Sequence, residues 1–231
     1  MTLYGRDFLK ESDFTRAELE SLLDLAAELK TARAAGTETQ RLVGKQIALI
    51  FEKTSTRTKI SFEVAMRDQG GHVSILDPST SQIGHKESVA DTARVLSTMF
   101  DGIEYRGAAH ANVEKLAEFS TVPVFNGLTD DWHPTQMLAD FQTMREHAAA
   151  GQLSYAYVGD ARSNMGNSLL VMGAIMGAHV VAATPSGKWA PDAAAVATAQ
   201  AIAAKSGGKI EITNDPEAAA KDASVLYTDV W

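Results

Sequence analysis

Four consecutive residues, Ser55-Thr56-Arg57-Thr58, place three hydroxyls and a guanidinium side by side. Hydroxyls donate single hydrogen bonds, and an arginine offers a planar fork that matches phosphate or carboxylate oxygens. The run lies inside Phe51-Glu52-Lys53-Thr54-Ser55-Thr56-Arg57-Thr58-Lys59-Ile60-Ser61-Phe62-Glu63. Before it, Ile47-Ala48-Leu49-Ile50-Phe51 reads as a buried strand. After it, Ile60, Val64 and Met66 mark a helix closed by Gly70-Gly71. Where a strand turns into a helix, the first backbone N–H groups lack partners and the helix dipole is positive, so an anion fits there. A plainer reading makes Thr54 or Ser55 an N-cap and Arg57 a surface charge, and spacing alone leaves both open.

Two further places carry polar side chains at the ends of elements. Residues 101–106 read as a strand that ends in Arg106 beside Gly107. Ligands gather at strand carboxyl ends in open α/β sheets, which makes Arg106 a second anion candidate. In Asp131-Trp132-His133-Pro134-Thr135-Gln136-Met137-Leu138-Ala139-Asp140, Pro134 suits a first helical position and starts a helix to about residue 150. That leaves His133 on its lip, with Gln136 in the first turn. A lone histidine there is more often a capping or packing residue; being the third polar group at an element end favours a site. The turn Gly159-Asp160-Ala161-Arg162-Ser163-Asn164-Met165-Gly166-Asn167 lacks the second and third glycines of a dinucleotide fingerprint, and no Walker A sequence occurs. No nicotinamide cofactor is expected. Asn167 either caps the turn or hydrogen-bonds a small polar ligand.

These groups need a scaffold of alternating strands and helices. A first helix opens at Asp13-Phe14-Thr15-Arg16-Ala17-Glu18 and carries Leu19, Leu22, Leu23, Ala26 and Leu29 at helical spacing. Residues 33–44 read as a polar connection, 55–69 as a helix, 72–76 as a strand and 79–86 as a pliant polar loop. A helix follows from about 88, then the strand 101–106, a helix over 112–119 and a strand over 122–125. After Gly151 the pattern restarts with strands at 153–158, 179–183, 209–212 and 224–230, separated by helices at 165–177, 191–205 and 216–221. The reading is α/β: two doubly wound parallel-sheet domains, 1–150 and 151–231, joined by the long helix at about 134–150. No repeat of solenoid length is present.

Composition narrows the class. The chain has 231 residues, 45% hydrophobic and 22% charged, with a net charge of −8, which argues against non-specific nucleic-acid binding and makes any basic site local. It has no cysteine, so disulfides and thiolate metal sites are excluded and no metal is expected. The start of the chain lacks an apolar signal core, and the longest apolar run, 169–178, is too short for a membrane span. Cytoplasmic is the default reading.

Taken as an ordered set, Ser55-Thr56-Arg57-Thr58 with Ser61-Phe62-Glu63, then Arg106, then His133-Pro134-Thr135-Gln136, resembles the carbamoyltransferases along nearly the whole chain. Phe51-Glu52-Lys53, Gln82-Ile83-Gly84-His85-Lys86-Glu87-Ser88, Asp91-Thr92-Ala93-Arg94-Val95-Leu96, Leu138-Ala139-Asp140 and Tyr227-Thr228-Asp229-Val230-Trp231 are similar to the ornithine branch rather than the aspartate branch. The resemblance implies transfer of the carbamoyl group of carbamoyl phosphate to ornithine, giving citrulline and phosphate in arginine metabolism. It implies a carbamoyl-phosphate half and an amino-acid half with the active site in the cleft, no cofactor, and a homotrimer in which the Gln82 loop reaches the neighbouring subunit. Ser55, Thr56, Arg57, Thr58, Gln82 and Arg106 would hold carbamoyl phosphate. His133 and Gln136 would contact the carbamoyl group, Arg57 and Arg106 would face the polarised oxygen, and Asn167 and Asp229 would orient ornithine.

The resemblance also has gaps. In the family a further segment follows the position of Trp231, with a Ser-Met-Gly loop, a His-Cys-Leu-Pro motif and a terminal helix. The expectation is therefore a second domain incomplete at its C-terminus, and the sequence leaves open whether this chain is active on its own. Lys59 stands where the family often has arginine. Two other functions stay open on the sequence: the same transfer to another amine, such as putrescine or an acylated ornithine, and a non-catalytic carbamoyl-phosphate-binding module.

Overall fold

The computed structural model describes residues 3–77, 87–148 and 151–229. By internal compactness the chain divides into two units, Met1–Leu9 with Leu25–Asp130, and Lys10–Asp24 with Asp131–Trp231. Helix α1 (Arg16–Ala35) runs through the division. Its start is a reciprocal capping box: the Thr15 N–H donates to Glu18 Oε2 at 2.8 Å, and the Glu18 N–H donates to Thr15 Oγ1 at 3.3 Å. The helix continues past Leu29 and takes up the first residues of the stretch read as a polar connection.

The first unit is a parallel four-stranded sheet in the order β2-β1-β3-β4, made of β1 (Gln46–Phe51), β2 (His72–Leu76), β3 (Gly102–Arg106) and β4 (Val124–Leu128). Helix α2 (Arg57–Asp68) connects β1 to β2, α3 (Val89–Ser97) precedes β3, and α4 (His110–Phe119) joins β3 to β4. Strand periodicity puts Ala48, Ile50, Ile103, Tyr105 and Val124 into one core with Ala93 and Leu96 of α3 and Val113 and Leu116 of α4. Leu49, Glu104 and Arg106 alternate with those residues and so face the other side. The fourth strand lies later than the sequence suggests, at 124–128 rather than 122–125. Pro123 lacks an N–H for the ladder, so pairing with β3 starts beyond it, at Ile103 opposite Val124. Phe8 then covers the outer edge of β4, donating to the Val124 carbonyl at 2.8 Å and accepting from the Asn126 N–H at 2.9 Å.

The second unit holds another parallel sheet, in the order β7-β6-β5-β8, from β5 (Ser154–Val158), β6 (His179–Ala183), β7 (Lys209–Thr213) and β8 (Val225–Tyr227). Helices α5 (Pro134–His147), α6 (Asn164–Met176), α7 (Ala193–Ser206) and α8 (Pro216–Ala220) belong to this unit, with a short 3-10 turn at Glu11–Asp13. Helix α6 is buried all round from Met165 through Ile175, mostly apolar but with Asn167 and Ser168 in its first turns. It can sit that deep because Gly166 has no side chain: a Cβ there would lie 2.0 Å from the Ala161 carbonyl oxygen. Phe141 of α5 packs edge-on to Tyr155 of β5, with ring centroids 6.0 Å apart.

Both sheets are doubly wound. In the first, the chain steps from β1 out to β2 and then returns to the other side of β1. In the second, it steps from β5 through β6 to β7 and then returns beside β5 as β8. Each sheet thus has one point where the winding reverses, β1/β3 in the first and β5/β8 in the second, and ligands bind outside the carboxyl ends of strands at such points. No helix among the described residues is long and apolar enough to cross a membrane.

Candidate functional site

The first reversal point is where the hydroxyl run lies. The chain leaves β1 at Phe51, and α2 begins at Arg57, so Thr54, Ser55 and Thr56 form the junction. Together with Arg57 and Arg106 they line a cavity of about 300 Å³. Ser55 does serve the helix end, since its Oγ accepts the Thr58 N–H at 3.3 Å. Acting as acceptor leaves the hydroxyl proton free for donation, so the capping role and a ligand role coexist. Thr56, the residue at the helix start, makes no side-chain cap bond.

Arg106 ends β3 next to that junction because β1 and β3 pair in register, Phe51 opposite Arg106. Its Nη1 donates to Thr58 Oγ1 and to the Gly127 carbonyl, both at 3.2 Å, while Nε is buried without a partner. Partial burial lowers the Arg106 pKa, Glu104 raises it and the like charge of Arg57 lowers it. Two guanidiniums that repel each other across a cavity lined by hydroxyls favour an anion between them. A small dianion with several acceptor oxygens matches such a lining in charge and in acceptor count.

The loop leaving β1 is anchored from below. Tyr105 donates to Glu52 Oε2 at 2.7 Å and accepts from Asn112 Nδ2 at 3.3 Å, and Lys53 forms an ion pair with Asp130. Burial, followed by the bond to Glu52, drives the Tyr105 pKa well above its ordinary value, so the phenol stays protonated. Glu52 and Lys53 thereby fix where Thr54 begins. Gln82, the remaining carbamoyl-phosphate candidate, lies outside the described residues.

The second unit holds the other candidates. His133 is buried at the start of α5, and Pro134 is the first helical residue. Its backbone N–H donates to Ser168 Oγ at 2.9 Å, and its imidazole Nδ1 lies 3.5 Å from Thr135 Oγ1. His133 occupies the N-cap position without a side-chain cap bond, and its burial fits the packing reading as well as a site. Gln136, one turn on, donates through Nε2 to Asp140 Oδ1 at 2.9 Å, and Tyr227 donates to Asp140 Oδ2 at 3.0 Å. A carboxylate only accepts, so the Gln136 amide turns its nitrogen to Asp140 and keeps its carbonyl oxygen as an acceptor.

At the second reversal point, Asn167 follows the turn after β5 and Asp229 follows β8. Asn167 is 7% exposed; Nδ2 donates to the Asp131 carbonyl at 3.2 Å, and Oδ1 is buried without a partner. Asp229 is exposed, and its charge acts on Asp140, Tyr157 and Tyr227. Burial first, then the nearby Asp229, raises the Asp140 pKa, while Gln136 and Tyr227 lower it. Tyr157 is pushed up to about 12 by burial and by Asp229 and Asp160. This end of the sheet is therefore negative, suited to a cationic amine. No cluster of three or more metal-ligating side chains occurs among the described residues.

Sequence reasoning missed the supports. Asp140 and Tyr227 appear there only within family-like runs, and Glu104 and Glu52 have no role. Alternation along the strand puts Glu104 on the face of Arg106, but only strand pairing brings Gly127 against both.

A family model for the carbamoyl-P binding domain of aspartate/ornithine carbamoyltransferases matches residues 6–146, and one for the Asp/Orn binding domain matches residues 151–231. The chain belongs to the aspartate/ornithine carbamoyltransferase family and is a transferase of that type. Among solved structures, it is 44% identical to the ornithine carbamoyltransferase from Pyrococcus furiosus, with a TM-score of 0.96, covering 100% of this chain and 74% of that one. The Gloeobacter violaceus ornithine carbamoyltransferase is 42% identical, with a TM-score of 0.86 and coverage of 100% and 75%. The anabolic ornithine carbamoyltransferase from Campylobacter jejuni is 36% identical, with a TM-score of 0.91 and coverage of 98% and 73%.

Proposed function

We propose that this chain transfers the carbamoyl group of carbamoyl phosphate to the side-chain amine of L-ornithine, yielding L-citrulline and phosphate. The observation that carries the reading is the cavity at the first reversal point, lined by Thr54, Ser55, Thr56, Arg57 and Arg106. Ser55, Thr56, Arg57, Thr58 and Arg106 bind the phosphate, with Gln82 as a further contact. Arg57 and Arg106 also stabilise the oxygen of the carbonyl as it gains charge. His133 and the side-chain carbonyl of Gln136 hold the carbamoyl group, the amide oxygen accepting from its NH2. Asn167 and Asp229 orient ornithine, and the acidic end of the second sheet favours its cationic groups. In this reading residues 1–150 serve carbamoyl phosphate and residues 151–231 serve ornithine, in a cytoplasmic homotrimer of arginine metabolism.

The chemistry is positional. The neutral side-chain amine attacks the carbonyl carbon, a C–N bond forms, the bond from that carbon to the bridging phosphate oxygen breaks, and phosphate departs with the electron pair. The attacking nitrogen then sheds a proton. Holding both reactants and facing the developing charge with fixed donors supplies the rate.

The test is citrulline formation by the 231-residue chain, with putrescine and aspartate offered in parallel. Turnover with ornithine above both supports the proposal. Turnover with putrescine alone moves the acceptor to another amine, and retention of the phosphate ligand without product from any amine makes the chain a binding module.

A further inference from the structure

Glu104 stands in the middle of β3 with no exposed surface, and neither carboxyl oxygen has a hydrogen-bond partner. Its register partners are Leu49 on β1 and Phe125 on β4, which cannot ionise. Two residues on along the same face is Arg106, the one charge that acts on Glu104 among the described residues; Arg57 of α2 acts in turn on Arg106. The carboxyl lies against Gly127 so closely that a Cβ there would be 1.7 Å from Oε1 and 2.8 Å from Cδ. The carbonyl of that same Gly127 accepts from Arg106 Nη1 at 3.2 Å.

A buried carboxylate without hydrogen bonds is strongly disfavoured, and such groups take up a proton instead. Burial pushes the Glu104 pKa up to about 8, against the pull of Arg106. At neutral pH it is therefore a neutral acid beside a cation. Were it ionised, it would neutralise Arg106 from behind and compete with any anion in front.

We propose that Glu104 is a positioning residue for Arg106: as the neutral acid it fills the space over Gly127, whose carbonyl orients the guanidinium, and it leaves the Arg106 charge free for the phosphate group. The proposal rests on the reading that the cavity binds that anion. A linkage follows that a mere space-filler would not show. An arriving dianion offsets the Arg106 charge, the one influence favouring the Glu104 carboxylate. Glu104 then holds its proton more tightly, so anion binding takes up protons, and affinity falls as pH rises through the free-chain value.

The experiment is calorimetric titration of the 231-residue chain with inorganic sulfate, a dianion at every pH used, from pH 7 to 9.5. Two buffers of different ionisation enthalpy measure proton uptake. The wild type is expected to lose roughly tenfold in affinity across this range, with uptake greatest roughly half a pH unit above the free-chain value. Glu104→Gln, neutral and of the same shape, is expected to lose less than about twofold and to take up no proton over that window. Failure of the wild type to bind sulfate at pH 7 would sink the anion-site reading and this proposal with it. Binding without proton uptake, or with the same pH dependence in both proteins, would overturn the role of Glu104 and leave the anion site standing. If the glutamine variant does not fold, proton uptake by the wild type decides alone.

Discussion

Arg57 is exposed at the start of α2, whereas Arg106 is half-buried and bonded to Thr58 and Gly127, so the two cations differ in what their loss would do. Removing Arg57 leaves the surrounding packing intact and takes away a phosphate contact together with a donor to the developing charge. Arg57→Ala is expected to lower kcat by about a hundredfold or more without changing thermal stability. Arg57→Lys should lose nearly as much, because a point charge cannot make the bidentate contact. Steady-state rates of carbamoyl transfer with a parallel melting curve check both; near-normal turnover by either variant removes Arg57 from the proposed role. Most of the candidates were visible in the sequence because their chemistry is local: hydroxyls, guanidiniums and an imidazole at strand-to-helix junctions. Glu104 and Asp140 were not, because each matters through a neighbour that only pairing or packing supplies. A glutamate between Ile103 and Tyr105 reads as one polar residue in a strand until Arg106 and Gly127 are placed around it.

At the scale of elements, the sequence pattern located every strand and α-helix among the described residues but not the 3-10 turn at Glu11–Asp13. The ends were less legible. The β4 pairing starts after Pro123, and α1 runs on to Ala35, where a good helix-forming sequence overrides its polarity. Strand order was not readable either, since a parallel βα array leaves the choice of side open at each crossover. Two close approaches hold these elements together and give separate tests. Gly166→Ala would put a Cβ on the backbone carbonyl of Ala161, which cannot move aside as a side chain could. It should destabilise the second unit by about 2 kcal/mol or more, measured as a lowered urea midpoint. Gly127→Ala collides instead with the far end of Glu104. Its cost should shrink when combined with Glu104→Ala, with a coupling of about 1–3 kcal/mol in a double-mutant cycle. Additive costs would mean that the carboxyl moves away without strain.

For the molecule as a whole, one deeply buried carboxyl in each unit, Glu11 and Glu104, ties stability to pH. Glu11, in the 3-10 turn, is fully buried; burial pushes its pKa up to about 7, and the nearby Ser168 hydroxyl offsets only part of this. Glu104 is pushed up to about 8. Both start from 4.5, so above pH 4.5 the unfolded chain sheds protons that the folded chain keeps. Their contribution to stability is therefore complete below 4.5 and is lost as pH rises, to about 7 for Glu11 and about 8 for Glu104. The slope is at most about 1.4 kcal/mol per pH unit for each group. Urea unfolding between pH 5 and pH 9 should show this decline, and Glu11→Gln should flatten it below pH 7. A stability that rises over the same interval would contradict the assignment.

The winding of the second sheet also bears on how the protein is made. Its reversal point joins β5 to β8, so β6 and β7 lie between the two strands in sequence. On a ribosome, the β5–β6–β7 pairs can assemble as the chain emerges, but Tyr227 can reach Asp140 only once β8 has left the exit tunnel. The first sheet, complete by Leu128, faces no such delay at Arg106. A nascent chain arrested before β8 should therefore gain protection from proteases when given a phosphate-like anion, yet none when given a diamine.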